Sequence, residues 1–205
     1  MEKNNTKQEI LNVALDMFSQ KGYEATSVFK IAEAVGIRKA SLYSHFASKQ
    51  EILDALMKSI LEQYEKRSLF AHADWNDPLY TKDKENITCD IAIQMITGQV
   101  RYIIHDESIS RARKMLIIGQ YQNSQMASLQ TKQNYTDVMK YFVGFINFLI
   151  QKRKLKEGDA EIMAAQLALP ITVWINLCDR EPEREAEVMM LIERHIRNFF
   201  ETYQN

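Results

Sequence analysis

The sequence predicts an all-α fold, and three observations carry that expectation. Its 205 residues include only six glycines and three prolines, the residues that punctuate strands and tight turns. Runs that alternate polar and apolar residues, as half-buried strands do, are lacking. Long stretches instead repeat apolar residues every three or four positions, the period that puts them on one face of a helix. With 46% hydrophobic and 26% charged residues, the chain has apolar surface enough for a substantial core in one or two domains.

Taken in order, the first helix is expected to begin at Thr6-Lys7-Gln8-Glu9, which has the hydroxyl-x-x-carboxylate spacing of a capping box. Ile10, Val13, Ala14, Met17 and Phe18 then form one apolar stripe, and Lys21-Gly22-Tyr23 ends the helix. Thr26 and Ser27 open a second helix. Their hydroxyls suit capping, and an exposed helix N-terminus also attracts a phosphate, so both roles are compatible. Ile31, Ala32 and Val35 keep the helical interval, Gly36 stands where the chain turns, and Ile37 and Leu42 return to the same small core. Ala32 is small enough to let a third helix cross closely. Glycine suits position 36 because a left-handed residue with a Cβ costs ~1 kcal/mol or more. Ser48-Lys49-Gln50-Glu51 is a second capping box and opens a fourth helix, running from Lys49 towards Phe70.

The surface around the turn has a chemical bias. Between Ala34 and Gln50 there is no Asp or Glu, whereas Arg38, Lys39 and Lys49 are basic and Ser41, Tyr43 and Ser44 add hydroxyls between apolar anchors. A helix of this kind in the major groove gains affinity by neutralising phosphates and selectivity from a few polar side chains at base edges. The charge distribution agrees: residues 1–50 hold seven Lys/Arg against five Asp/Glu, a net of +2, while the whole chain stands at −1. Only the first segment has electrostatics that favour DNA.

These residues resemble the tetracycline-repressor-like (TetR/AcrR) family of transcriptional regulators. The resemblance lies in ILNVALDMFSQKGYEATSV, then IAEAVGI, then KASLYSHFASKQEIL, and covers Lys7 to about Leu56. It implies an N-terminal three-helix helix-turn-helix DNA-binding domain (residues 1–50), a connecting helix (49–70), and a C-terminal helical ligand-binding and dimerisation domain (71–205). The DNA-binding residues expected are Thr26, Ser27, Arg38, Lys39, Ala40, Ser41, Tyr43, Ser44, His45 and Lys49. His45 has two readings, orienting a neighbour in the core or donating to phosphate as the resemblance implies. Four positions depart from the family pattern: Phe29 where arginine is common, Arg38 where a serine or threonine often caps, Ala40 in place of glycine and Ser44 in place of an aromatic. They bear on which operator is read and leave the fold intact. Members diverge beyond the first domain, so the effector is not inherited by analogy.

Asp74-Trp75-Asn76-Asp77-Pro78 marks a break, after which helical patterns run through about 85–104, 108–122, 131–154, 159–177 and 183–203. Gly158-Asp159 is a stop followed by an N-cap, Pro182 opens the last helix, and Pro170 is expected to kink the one before it. Val188, Leu191, Ile192, His195, Ile196, Phe199 and Tyr203 form a long stripe on the last helix; Ala164, Ala165 and Ala168 form a small-residue face on its neighbour. Two such terminal helices can pair with symmetry mates as a four-helix bundle, so Ala164, Ala168, Leu191, Ile192, His195, Ile196 and Phe199 are the expected homodimer interface. Met95, Tyr102, Met115, Ile118, Tyr121, Met139, Phe142, Phe145 and Trp174 are candidates for an effector pocket, since methionines and aromatics adapt to apolar molecules. Each is equally an ordinary core residue.

Other classes are disfavoured. No nucleophile–base pair, phosphate-binding glycine loop or metal-ligand spacing appears, so neither enzyme activity nor a cofactor is expected. Cys89 and Cys178 read as two thiols of a reducing compartment, with a redox-sensing pair as the alternative. The polar start MEKNNTKQE has no apolar signal core and no unbroken run approaches the ~18 residues of a membrane span, which predicts a cytoplasmic protein. The function expected is therefore a dimeric, ligand-responsive transcriptional regulator on a double-stranded DNA operator, the alternative being a constitutive or protein-partner-controlled regulator.

Overall fold

The computed structural model describes residues 3–205; the first two residues of the polar N-terminal stretch lie outside the described residues. The chain forms α1 (Lys3–Lys21), α2 (Val28–Val35), α3 (Lys39–Tyr43), α4 (Lys49–Arg67), α5 (Leu69–His72), α6 (Pro78–Thr81), α7 (Cys89–His105), α8 (Glu107–Gly119), α9 (Ser124–Thr131), α10 (Asp137–Gln151), α11 (Ala160–Arg180) and α12 (Glu185–Tyr203). A π-helical turn, Lys132–Thr136, leads into α10. Among the described residues there is no strand, and Leu155 and Gln204 make an isolated bridge. The all-α expectation holds.

Two compact units divide the chain, and neither is one continuous segment. The first comprises the chain up to Arg67 together with Ser108–Gln130; the second comprises Ser68–Glu107 and Thr131–Asn205. Each has its own core.

In the first unit Ile10, Ala14 and Phe18 of α1 are wholly buried together with Ile31, Leu42, Ile52 and Leu53. The i, i+4, i+8 spacing of the three α1 residues puts them in one line along the helix. Helix α1 begins a turn before Thr6, so Thr6 is an interior residue and the first expected capping box is absent. The second is present in altered form: Ser48 Oγ accepts from Glu51 N at 3.1 Å, and the Glu51 carboxylate accepts from Ala47 N rather than from the cap residue itself. The same core receives Ala112, Met115 and Leu116 of α8 and Met126 and Leu129 of α9. Helix α9 falls in the gap between the helices expected over 108–122 and 131–154, and follows a tight approach in which a Cβ on Gly119 would lie 2.0 Å from the Met126 sulfur.

The second unit centres on α10, whose Tyr141, Phe142, Phe145, Ile146, Phe148 and Leu149 are all buried. Helix α11 packs along it, and α7 and α12 pack on α11 and on each other, contributing Val100, Leu167, Ile192 and Ile196 among others to the same core. Thr88 caps α7 by accepting from Ile91 N, and Asp159 caps α11 by accepting from Glu161 N and Ile162 N, as its position after Gly158 predicts. Helix α11 continues through Pro170. By length and composition α11 is also apolar enough to cross a membrane, although no unbroken apolar run in it approaches ~18 residues, and only 33% of its most apolar window is buried. Such a helix has apolar side chains to spare after its own core is filled: Ile162 and Val173 are 56% and 63% exposed.

That core accounts for most of the residues expected at a homodimer interface. Ala164, Ala168, Ile192, Ile196 and Phe199 are each at most 4% exposed and belong to the subunit's own core. Leu191 and His195 are half-buried, and the His195 ring lies within hydrogen-bond distance (3.1 Å) of the Leu167 carbonyl and edge-on to Trp174. The reason is geometric: a regular stripe states that one helix face is covered, and here α12 is covered by α7 and α11 of the same chain.

Candidate nucleic-acid interface

The two crossing helices are held by local chemistry that the sequence spells out. Ser27, extended at φ −100° and ψ 151°, caps α2 by accepting from Lys30 N at 3.3 Å. At the other end Gly36 adopts the left-handed conformation (φ 76°). Ile37 N then donates to the Ala32 carbonyl at 2.9 Å and Gly36 N to the Glu33 carbonyl at 3.0 Å, the paired bonds of a Schellman turn. The turn delivers Ile37 back onto the core and starts α3 from Arg38, whose extended backbone (ψ 145°) precedes the first helical residue.

Helix α3 is anchored by one side chain. Leu42 is wholly buried, and its neighbours Arg38, Lys39, Ala40, Ser41, Tyr43 and Ser44 all face outward. The Lys39 ammonium lies 5.7 Å from the centre of the Tyr43 ring, so the cation and the phenol share one outer face. Ser44 donates to the Ser41 carbonyl at 2.7 Å, which fixes its hydroxyl and leaves the oxygen as an acceptor. His45 is half-buried just after the helix. The result is a short, acid-free ridge with two exposed cations and three hydroxyls, the inventory that phosphate and base-edge contacts need.

Two expected DNA contacts are spent inside the protein. Thr26 is 2% exposed and its hydroxyl donates to the Gly22 carbonyl at 2.9 Å, tying the end of α1 to the start of α2. Lys49 keeps only 22% of its side chain exposed. Its ammonium donates to the carbonyls of Tyr23 (2.9 Å) and Thr26 (3.2 Å) and sits 4.0 Å above the Tyr23 ring. Burial, reinforced by the charges of Glu24 and Asp54, holds the Tyr23 phenol above its ordinary pKa, so it stays neutral and donates to Gln50 Oε1. Lys49 therefore clamps the start of α4 to the loop between α1 and α2. Sequence alone identifies it as a cation near the ridge; the loop carbonyls that occupy it are a tertiary fact.

The expected effector residues fall into different places. Met115 (1% exposed) and Ile118 belong to the first unit, because the buried face of α8 completes that core; Tyr121 is 90% exposed. Met95, Tyr102, Met139, Phe142, Phe145 and Trp174 lie in the second unit. Phe142 and Phe145 are buried in an aromatic cluster with Phe70, Tyr141, Phe148 and Trp75. Tyr141 is deep enough there that burial pushes its phenol well above the ordinary value. Met95 and Trp174 pack against this core and Tyr102 is partly exposed. Met139 lines an open cleft beside Trp75. Trp75 was legible only as part of a break; the signal for its role was Gly144, the one residue without a side chain amid the bulky run of α10, where a Cβ would lie 2.9 Å from the indole.

Residues 10–56 match the family described as bacterial regulatory proteins, tetR family. The chain is similar to the HTH-type transcriptional repressor KstR2 of Mycobacterium tuberculosis, 44% identical over 59 residues, which is 29% of this chain and 30% of that protein. The match thus spans under a third of that relative's own length. A fatty acid metabolism regulator protein of Bacillus subtilis is 22% identical over 186 residues, 85% of this chain and 86% of its own. The crystal structure of a tetR-family regulator from Mesorhizobium loti shares the fold over 100% of both chains, with a TM-score of 0.63 at 17% identity.

Proposed function

Because the chain belongs to the tetR family of bacterial regulatory proteins, we propose that it is a transcriptional repressor which grips a palindromic operator as a homodimer and is released by a small apolar or amphipathic molecule. The observation that carries this reading is the exposed, acid-free face of α3, where Arg38, Lys39, Ser41 and Tyr43 surround the single buried anchor Leu42. A five-residue helix reads few bases, so two copies about one DNA turn (~34 Å) apart supply the affinity. The pairing face we assign is the outer side of α11, where exposed Ile162 and Val173 and half-buried Leu169 recur at helical spacing, with Met190 of α12 (61% exposed). The repressing sense follows the relative named as a repressor. An apolar effector is in keeping with the relative named for fatty acid metabolism, and a coupling of ~1–3 kcal/mol between effector and operator would loosen DNA by ~5- to 150-fold.

The decisive experiment is selection of bound fragments from the source genome in dilute buffer, repeated with candidate metabolites. An enriched inverted repeat, lost when one metabolite is added, is the expected outcome. Affinity for every promoter fragment no greater than for random duplex overturns the reading. Val173→Glu should shift a dimer towards monomer in sedimentation velocity, and an unchanged dimer would reject the α11 face.

A further inference from the structure

A cation of α1 stands at the C-terminal end of the α3 ridge. Lys7, in the second turn of α1, is exposed, and its ammonium lies 4.9 Å from the centre of the Phe46 ring. Phe46 is 1% exposed and its N–H donates to the Leu42 carbonyl at 3.1 Å, so the ring lies one turn beyond the buried anchor of α3. The residues that neighbour Lys7 on the surface of its own helix, three and four positions away, are Lys3, Asn4, Ile10 and Leu11, with no carboxylate to neutralise it. Lys7 makes no ion pair among the described residues, and Glu51, the acid nearest to Phe46 along the chain, is engaged by the Ala47 N–H. A ring face attracts an ammonium without discharging it, so the side chain is held in place with its charge intact. The place matters because α3 is short. Five residues rise only about 7.5 Å, less than the ~12 Å width of the major groove, so the phosphates lining the groove fall to groups at the two ends of the helix. Arg38 and Lys39 stand at the first end. The other, Ser44-His45-Phe46, has no Lys or Arg of its own, and the next basic residue, Lys49, is committed to loop carbonyls.

We propose that Lys7 supplies the phosphate contact at that end, so that α1, besides building the core of the first unit, takes part in holding DNA. The assignment deepens the operator-binding reading above and rests on it. Phosphate contacts carry no sequence information, so a labelled random-sequence duplex is a sufficient probe. With the full chain, titrated at several salt concentrations between roughly 50 and 200 mM, Lys7→Met removes the charge and keeps an unbranched side chain. It should lower the salt slope by about 0.9 for each copy bound, close to the effect of Lys39→Ala, and weaken binding about eightfold per copy near 0.1 M salt, with little change in melting temperature. Lys7→Arg should keep the slope. Lys7→Gln repeats the measurement should the Met variant fold poorly. An unchanged slope in a folded neutral variant, whether or not its melting temperature falls, makes Lys7 a structural residue and overturns the assignment. A slope lowered equally by Lys7→Arg also overturns it, because the charge is then not what acts. Selection of bound fragments is scored separately: a wild-type chain that prefers no fragment to the random duplex defeats the regulator reading while the slope test of Lys7 stands, and one that binds no duplex at all defeats both.

Discussion

Two lysines ten residues from each other, Lys39 and Lys49, should respond to substitution in opposite ways. Lys39 projects from α3 with no ion pair among the described residues, so in the proposed complex its charge is free to displace counterions from phosphate. Each phosphate neutralised adds about 0.9 to the slope of log affinity against log salt. A dimer carries two copies, and Lys39→Ala should therefore lower that slope by roughly 1.8 while leaving the melting temperature in place. Lys49→Met should do the reverse. Its ammonium donates to two loop carbonyls at 2.9 and 3.2 Å, and losing hydrogen bonds from a charged donor costs about 1.5–3 kcal/mol. Near 2 kcal/mol, a chain of this size loses about 4–8 °C in melting temperature, with an unchanged salt slope for the protein that remains folded. The assay is fluorescence anisotropy of a labelled operator at five or so salt concentrations, beside thermal denaturation of the same preparations. An unchanged slope for Lys39→Ala removes α3 from the DNA interface. A changed slope with unaltered melting for Lys49→Met shows that its charge serves DNA and not the fold.

Leu42→Ala should cost about 2–5 kcal/mol, since it empties a wholly buried anchor, and should abolish operator binding; urea denaturation reads the first and anisotropy the second. Gly22→Ala forces a left-handed residue (φ 81°) to carry a Cβ 3.1 Å from Ile118 Cγ2, so it should cost about 1–2 kcal/mol for the backbone plus a steric share. Adding Ile118→Ala should recover that share alone, and a purely additive double-mutant cycle would deny the contact. Tyr141 ionises above its ordinary value of 10.0 in the folded protein. Its raised pKa means stability is complete below pH 10 and declines as pH rises beyond it, because the unfolded chain then loses a proton the folded one retains; Tyr141→Phe should flatten that alkaline limb in a pH series of urea melts.

What could be read from the residues alone was whatever is decided within a few positions. Ser27, Gly36 and Asp159 sit at helix ends because capping bonds and a left-handed turn are local demands, and Leu42 is the one large aliphatic residue, and the buried one, on the α3 ridge. Periodicity likewise marked α8 and α12 as having a covered face. It was silent on what does the covering, so α8 turned out to serve the first core and α12 its own subunit's core. Lys49 illustrates the same limit: its side chain is suited to phosphate, but the carbonyls of Tyr23 and Thr26, distant in the chain, claim it first. The start of α1 upstream of Thr6 shows that a capping pattern does not end a helix when the residues before it are also helix-compatible.

The passage of the chain from one unit to the other at Arg67, back at Ser108 and out again after Gln130 has a practical corollary for anyone building hybrid regulators. Grafting a foreign sensor behind residue 67 would orphan Leu116, Met115 and Met126, leaving the donated head with a hole where their side chains belong. A working chimera needs three seams, carrying the 108–130 stretch along with the head it completes.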